Sequence, residues 1–415
     1  MTRTHSRPQQ LRIQCQLACI ALLCFMSAAA RAADAKKDVD PFQLCVAEQV
    51  IYDDNLYRLN QDINAQQRLG ANGSRDDYVW RTSACANGDW QFSRQEVVLK
   101  AEIADNRYTN NKTLNHTSGS GTLSWDWSTA NDWSGKLGAS GSRALGTFMS
   151  DRPTEKDLVD SYQYFGELRH LFGAYLSAFA SGQRTAATHS APSRELDDYG
   201  NNAGTFGLVY ATRADTSLGV DYEYNRSKFA ALSVVNGVSY DMDYNESVTS
   251  VRGSYDLGTR TVVTASLGYL QRRYPQSAAF DYSGDVWRAS LQWPPSPKTQ
   301  LLFSAWRELT AYVDAEADHF ISKGVSLKPT WAPREKLKFS GLVWWEKQDY
   351  LSSSLAALVE GQREDKVFTA GLDAIYAPVT FFELDLGYRH EKHDSNQPLL
   401  GYVDNVATAT LRGKF

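Results

Sequence analysis

The sequence predicts an all-β chain: a transmembrane antiparallel up-and-down outer-membrane β-barrel of about 16–18 strands. Three observations lead there. The N-terminus carries an export signal. The rest is polar on average yet rich in aromatic residues. Strand-like segments of period two are separated by connections that alternate between short and long.

The export signal comes first in the 415-residue chain. Arg3, Arg7 and Arg12 precede the apolar run LACIALLCFMSAAA, followed by Ala30-Arg31-Ala32. A basic region, a short apolar core and an A-x-A site make a secretory signal peptide, and the core is too short to span a bilayer. Residues 1–33 are therefore expected to be removed. That loss takes four arginines and no acid, moving the formal charge from −5 to about −9, which argues against nucleic acid as a partner. It also takes Cys15, Cys19 and Cys24, leaving Cys45 and Cys85 as an even pair that suggests one disulfide in an oxidising compartment. Two free thiols are the alternative.

The remaining chain has no apolar stretch near 18 residues, and the mean hydropathy is −0.44. Helical membrane spans are thereby excluded. Aromatic residues nevertheless make up 12% of the chain. Alternating strands hide their hydrophobicity from a sliding window, so this composition fits an outer-membrane barrel.

The alternation recurs along the chain. TLSWDW sets Leu123, Trp125 and Trp127 against Thr122, Ser124 and Asp126. LGVDYEYN sets Leu218, Val220, Tyr222 and Tyr224 against Gly219, Asp221, Glu223 and Asn225. VWRASLQW and FELDLGYRH repeat the pattern, whereas LLFSAWREL and LVWWEK read equally well in either register. Short turn-like separators fall at 86–89, 129–132, 171–174, 212–216, 257–260, 294–298, 332–336 and 377–380. Longer polar stretches lie between them, at 109–118, 149–157, 189–198, 229–239 and 350–364. Tight periplasmic turns and longer external loops have this rhythm, and Greek-key sandwiches do not. Cys85 is then expected at the end of the second strand beside the first turn, with Cys45 just before the first strand. Both would sit at the periplasmic rim.

The chain's last stretch, DNVATATLRGKF, alternates too. Val403, Ala407, Ala409, Leu411, Gly413 and Phe415 share one face, and Asp404, Thr408, Thr410, Arg412 and Lys414 share the other. This strand is expected to pair with the first and close the wall, with Phe415 as an interface anchor. The domain reading is a signal peptide 1–33, a short periplasmic extension 34–45 and a barrel 46–415.

YDDNLYRLN (52–60), DNRYTNNKTLNH (105–116) and LSWDWSTANDWSGKLGASGSRALGTF (123–148) resemble the outer-membrane barrel proteins of exopolysaccharide biosynthesis operons. This is the EpsL type, within the putative beta-barrel porin group. The resemblance implies an outer-membrane component in the synthesis or export of an extracellular polysaccharide, and supplies no catalytic residue. A terminal aromatic strand also resembles the signal read by the barrel-assembly machinery, which makes Phe415 the expected assembly signal.

No motif carries a cofactor, metal or catalytic expectation. Asp53, Asp54 and Asn55 are hard oxygen donors, but no turn glycine or further ligands follow, so they read as a strand end at the external rim. His390, Glu391 and His393 do not make H-E-x-x-H, and strand parity sends the two histidines to opposite faces. GASGS (138–142) is not G-x-S-x-G. No Ser-His-Asp or paired-carboxylate arrangement stands out, so the chain is read as a non-enzyme.

The polar parity carries the site instead. Lys100, Glu102, Asp126, Asp221, Glu223, Arg288, Lys328, Asp373, Glu383, Asp385, Arg389, Arg412 and Lys414 are the candidate lumen-lining residues. They would tune ion selectivity and hydrogen-bond sugar hydroxyls, or simply pair across the wall. The expected function is a passive conduit or accessory in polysaccharide export, with polysaccharide, outer-membrane lipid and periplasmic export components as partners. A general or sugar-uptake porin and a plugged barrel anchoring polysaccharide or periplasmic partners are the alternatives.

Overall fold

A wall of paired strands accounts for nearly all regular structure. The computed structural model describes residues 41–70, 73–148, 154–213, 216–230, 232–235, 238–258, 260–276, 278–311, 319–351 and 362–415. β1 spans Phe42–Asp53, β2 Asp77–Phe92, β3 Gln95–Tyr108, β4 His116–Ser128 and β5 Trp133–Leu145. β6 (Leu158–Phe172), β7 (Leu176–His189), β8 (Tyr199–Arg213) and β9 (Thr216–Phe229) follow. A small hairpin, β10 (Ser233–Val235) and β11 (Val238–Tyr240), precedes β12 (Tyr244–Asp256). β13 is Val262–Arg273, β14 Tyr282–Ser296, β15 Thr299–Ala311 and β16 His319–Arg334. β17 (Leu337–Leu351), β18 (Glu364–Val379), β19 (Phe382–Ser395) and β20 (Tyr402–Lys414) complete the wall.

Each wall strand pairs antiparallel with the next, and β9 pairs directly with β12. β1 pairs with β20 from Cys45↔Lys414 to Asp53↔Val406, closing an 18-stranded ring. Leu44 and Phe415 exchange backbone hydrogen bonds of 2.8 and 3.0 Å just beyond that ladder. Closure leaves no open strand edge in the wall, where hydrocarbon could not satisfy one.

The burial pattern is inverted relative to a water-soluble protein. On β9, Leu218 and Val220 are 59% and 52% exposed, while Asp221 between neighbouring apolar positions is 3% exposed. The same period of two puts Leu372 and Tyr388 outward and Thr410 inward on other strands. An apolar outside and a polar inside fit a lipid-embedded wall around water.

Connections at one end are tight, at 93–94, 129–132, 173–175, 257–261, 297–298, 335–336 and 380–381. Ser93, Asp132 and Gly173 adopt positive φ there, the twist-compatible geometry of short hairpins. Three successive hairpins carry register shifts, between Trp293/Ser296, Trp331/Arg334 and Tyr376/Val379. Pro294, Pro295, Pro333 and Pro378 fall in these gaps, and a residue without an N–H cannot continue the ladder. The long connections are at the opposite end.

Three sequence expectations need correction. The stretch 86–89 is not a turn: β2 continues through it to Phe92. Gly88 permits this, because a Cβ there would lie 2.2 Å from the Trp90 ring that packs over it. Cys85 therefore lies mid-strand, not at a strand end. Cys45 likewise lies within β1, which already begins at Phe42, and not just before it, while residues 34–40 of the expected extension lie outside the described residues. The signal peptide 1–33 lies outside the described residues, as do parts of the loops expected at 149–157, 229–239 and 350–364.

Cys45 and Cys85 are register partners on β1 and β2, with Cα atoms 4.9 Å apart, and are joined by a disulfide. Non-reducing intact-mass analysis should show one bridge; two free thiols would refute it. Loop entropy alone gives a bridge of this span about 4 kcal/mol. The ladder already holds both strands, so reduction should cost clearly less than that.

Cysteines introduced singly at Lys112 and Ser193, in long connections, should react with an impermeant thiol reagent on whole cells. Those at Lys298 and Glu335, in tight turns, should react only after permeabilisation. Labelling of the second pair on intact cells would reverse the orientation. For the terminal strand, Phe415→Ala should lower the yield of folded barrel, read as heat-modifiable gel migration, and leave the conductance of inserted material near normal.

Candidate functional site: the inward wall

Strand register places each candidate lumen residue opposite the exposed apolar parity. Lys100, Glu102, Arg412, Lys414 and both cysteines line one cavity of about 510 Å³. Within this sector Arg81 pairs with Glu102. Glu383 accepts from Arg412 at 2.8 Å and from Lys414 at 2.7 Å. Across strands, Asp126 pairs with Lys136 at 3.0 Å, and Asp221 with Arg252 at 2.6 Å. Arg288 makes a bidentate pair with Glu308, both bonds at 2.7 Å. Arg389 donates to Asp404 at 3.1 Å, and Glu223 accepts from Asn225 at 2.7 Å. Lys100, Lys328, Asp373 and Asp385 have no ion pair among the described residues. Half-exposed pairs contribute at most about 1 kcal/mol each, so their main effect is to hold charges of both signs at fixed places on the wall.

The structure adds two residues that the sequence left in ambiguous segments. Trp306 on β15 faces inward as the register partner of Arg288, and Trp344 on β17 lies 4.2 Å from it, centroid to centroid. Trp306 is 2% exposed, donates its indole N–H to Ser322 at 2.8 Å, and has the Arg288 guanidinium 5.6 Å from its ring. A Cβ on Gly324 would sit 2.3 Å from the Trp306 ring, so the indole lies flat on a glycine. Trp344 donates to Glu346 at 3.1 Å, and Gln348 donates to the other oxygen at 2.9 Å. Buried Trp306 thus backs the half-buried Trp344 ring, and the pair is edged by carboxylates, an amide and a guanidinium. The bulge at Pro294 and Pro295 explains why sequence counting missed it, because register cannot be counted through that turn.

The described parts of the β1–β2 connection, 54–70 and 73–76, fold back over inward-facing residues at the long-loop end. Its Tyr57 and Leu59 pack with Val79, Tyr108, Leu114 and Phe148. Burial and the nearby Asp77 carboxylate push the Tyr57 phenol up to about 12. Arg58 donates to the Phe148 carbonyl at 3.2 Å and approaches Glu391 at 3.8 Å. Asn60 reaches the Gly401 carbonyl at 2.6 Å. Arg75 ties the segment together, donating to the carbonyls of Leu59, Asn60 and Ile63 at 2.9–3.0 Å. A short helix, α1 (Ala65–Leu69), is capped by the Asn64 side chain. The connection thus covers part of the mouth at the long-loop end.

Closure also brings Asp404 beside Asp53 and Asp54, with ligand oxygens within 4.8 Å of one another. Asp54 accepts from the backbone and side chain of Asn405, and Asp53 accepts from the Asn55 N–H. In the histidine segment, His393 faces inward onto Asp365 at 2.9 Å, whereas His390 meets Asn405 at 2.8 Å on the outward parity.

A family model described as Putative beta-barrel porin 2 matches residues 163–415. The fold is similar to the crystal structure of a BenF-like porin from Pseudomonas fluorescens Pf-5. That match has a TM-score of 0.51 at 10% identity and covers 90% of this chain and 99% of that one. It is similar also to the outer membrane protein opdK from Pseudomonas aeruginosa, with a TM-score of 0.50 at 11% identity, covering 90% and 98% of the two chains. At such identities the likeness shows the fold alone. No curated protein matches the chain. A closed 18-strand wall with its apolar side out and charged side in, matched by the family model over more than half its length, identifies the chain as a porin-like barrel of the Gram-negative outer membrane, belonging to the Putative beta-barrel porin 2 family.

Proposed function

We propose that this barrel is a passive conduit for carbohydrate, serving export of an extracellular polysaccharide across the outer membrane. The observation that carries the reading is the half-buried Trp344 ring on the inward wall, backed by the buried Trp306 and edged by Arg288, Glu308, Glu346 and Gln348. An indole face stacks on the apolar face of a pyranose ring while neighbouring carboxylates and amides take its hydroxyls. Fixed charges of both signs along the wall hydrate the path without concentrating one counter-ion. The sequence resemblance to barrels of exopolysaccharide operons supports the outward direction.

Uptake of small sugars is the second reading. The β1–β2 connection favours it, because a partly covered mouth suits a short saccharide better than a long chain. Deletion of the gene in its host separates the two. Export requires loss of surface polysaccharide with unchanged growth on short saccharides, and the reverse result would overturn it. A barrel plugged to anchor polysaccharide would show no conductance in planar bilayers.

Two substitutions test the wall. Trp344→Ala should weaken current block by a neutral hexasaccharide about fivefold, the equivalent of about 1 kcal/mol of ring stacking. Asp385→Lys should shift the reversal potential in a salt gradient toward anions while insertion stays intact. Unchanged block and unchanged selectivity together would remove this face from the conduction path.

A further inference from the structure

On the outward face of the long-loop end, one row of register partners crosses five neighbouring strands. It reads Arg184 on β7, Asn202 on β8, Arg226 on β9, Asn245 on β12 and Arg273 on β13. Lys228 stands one outward position beyond Arg226, opposite Gly200, which leaves its side chain uncovered. These residues share the parity of Phe206, Leu208 and Val220, so they lie on the lipid side of the wall.

At the level of the row and just below it is a belt of exposed rings. Tyr164, the register partner of Arg184, is 55% exposed, and Tyr224 and Tyr269 are similarly open. Arg226 lies ten residues along from Thr216, where β9 begins. About 9–11 tilted residues cross the hydrocarbon, so the row falls at headgroup level. Charge there is tolerated, whereas near the midplane it would be strongly disfavoured.

The cations of this sector differ from outward cations elsewhere at the same end. Arg307 meets Asp285 at 3.3 Å, Lys323 meets Asp349 at 2.9 Å, and Lys392 meets Asp394 at 2.8 Å. Lys347 is bound to Glu364 at 2.7 Å. Arg184, Arg226 and Lys228 have no acid partner among the described residues, and Arg273 reaches Asp281 only at 3.6 Å. Arg184 and Arg226 are two strands apart, about 10 Å, with an amide between them. Guanidinium forks at that spacing suit two phosphate groups on one headgroup, and the amides suit its hydroxyls.

We infer that this face is a docking site for a bis-phosphorylated glycolipid headgroup of the outer leaflet. Continuity with the ring belt and the apolar wall commits the site to a membrane lipid over free phosphate, because acyl chains would lie on the wall directly beneath the bound phosphates. The site is independent of what the lumen conducts.

The test compares folded wild-type barrel in detergent with the variant R184Q/R226Q/K228Q. The added lipid is bis-phosphorylated lipid A or its fully dephosphorylated form, and native mass spectrometry reads the lipid retained. Taking each interfacial cation as worth about fivefold, the variant should retain the phosphorylated lipid about a hundredfold more weakly. Wild type should discriminate against the dephosphorylated lipid, and millimolar inorganic phosphate should not displace the bound one. Heat-modifiable migration verifies folding; if the triple variant fails it, Arg226→Gln is compared with Arg226→Lys, and only the former should lose retention substantially. The control K323Q/K392Q, in the ion-paired sector, should retain lipid like wild type. Equal retention by the triple variant, equal binding of both lipids, displacement by free phosphate, or equal loss in the control would each overturn the assignment.

Discussion

Hydrocarbon offers a peptide group no hydrogen-bond partner, so a sheet that crosses a membrane must satisfy every backbone donor and acceptor within itself. In this chain that requirement comes to rest on one seam, where β1 meets β20. Their paired residues are more than 350 positions apart in sequence, and the pairing converts a meander into a ring. Leu44 and Phe415 extend the seam by one further pair at the tight-turn end. The Asn405 backbone and side chain, bound by Asp54, extend it at the other.

Once the ring is closed, the two faces of every strand have opposite solvents. Leu, Val and aromatic residues on the outer parity meet lipid, and the inner parity must meet water or another part of the chain. That division accounts for the inner ion pairs. Glu383 between Arg412 and Lys414, and Arg288 on Glu308, are partners from neighbouring strands whose register was set by the backbone. It accounts also for the β1–β2 connection, whose Tyr57 and Leu59 find the apolar inward residues Val79 and Tyr108 near the mouth. At a ring of this size the wall side chains cannot fill the interior alone, so such an inward-folded connection is what shapes the path.

The outer surface is not uniform either. Charges that sit at headgroup level around β15 to β19 are neutralised by each other, while those on β7 and β9 are not. A barrel is therefore not symmetric to its membrane, although its backbone nearly is. Direction around the ring is conferred by side chains alone.

Much of this could be read from the chain. The period of two identified strands and faces, because an extended backbone turns each successive side chain over whatever its neighbours are. The alternation of tight and long connections showed the meander, and FELDLGYRH and LGVDYEYN revealed which parity was polar. What failed were positions where local chemistry and strand membership diverge. The Ala86–Asp89 stretch has turn-like residues, yet ring packing over Gly88 keeps it extended. Trp306 and Trp344 lie in segments apolar on both parities, beyond proline bulges that break the count, so only the assembled register shows them facing inward together. Asp404 beside Asp53, and Arg184 in line with Arg226, are likewise products of pairing between strands. The sequence by itself determined the alternation, because that is a property of each strand's own backbone. The tertiary structure decided which residues became neighbours, because lateral register depends on turns, bulges and closure that no single segment contains.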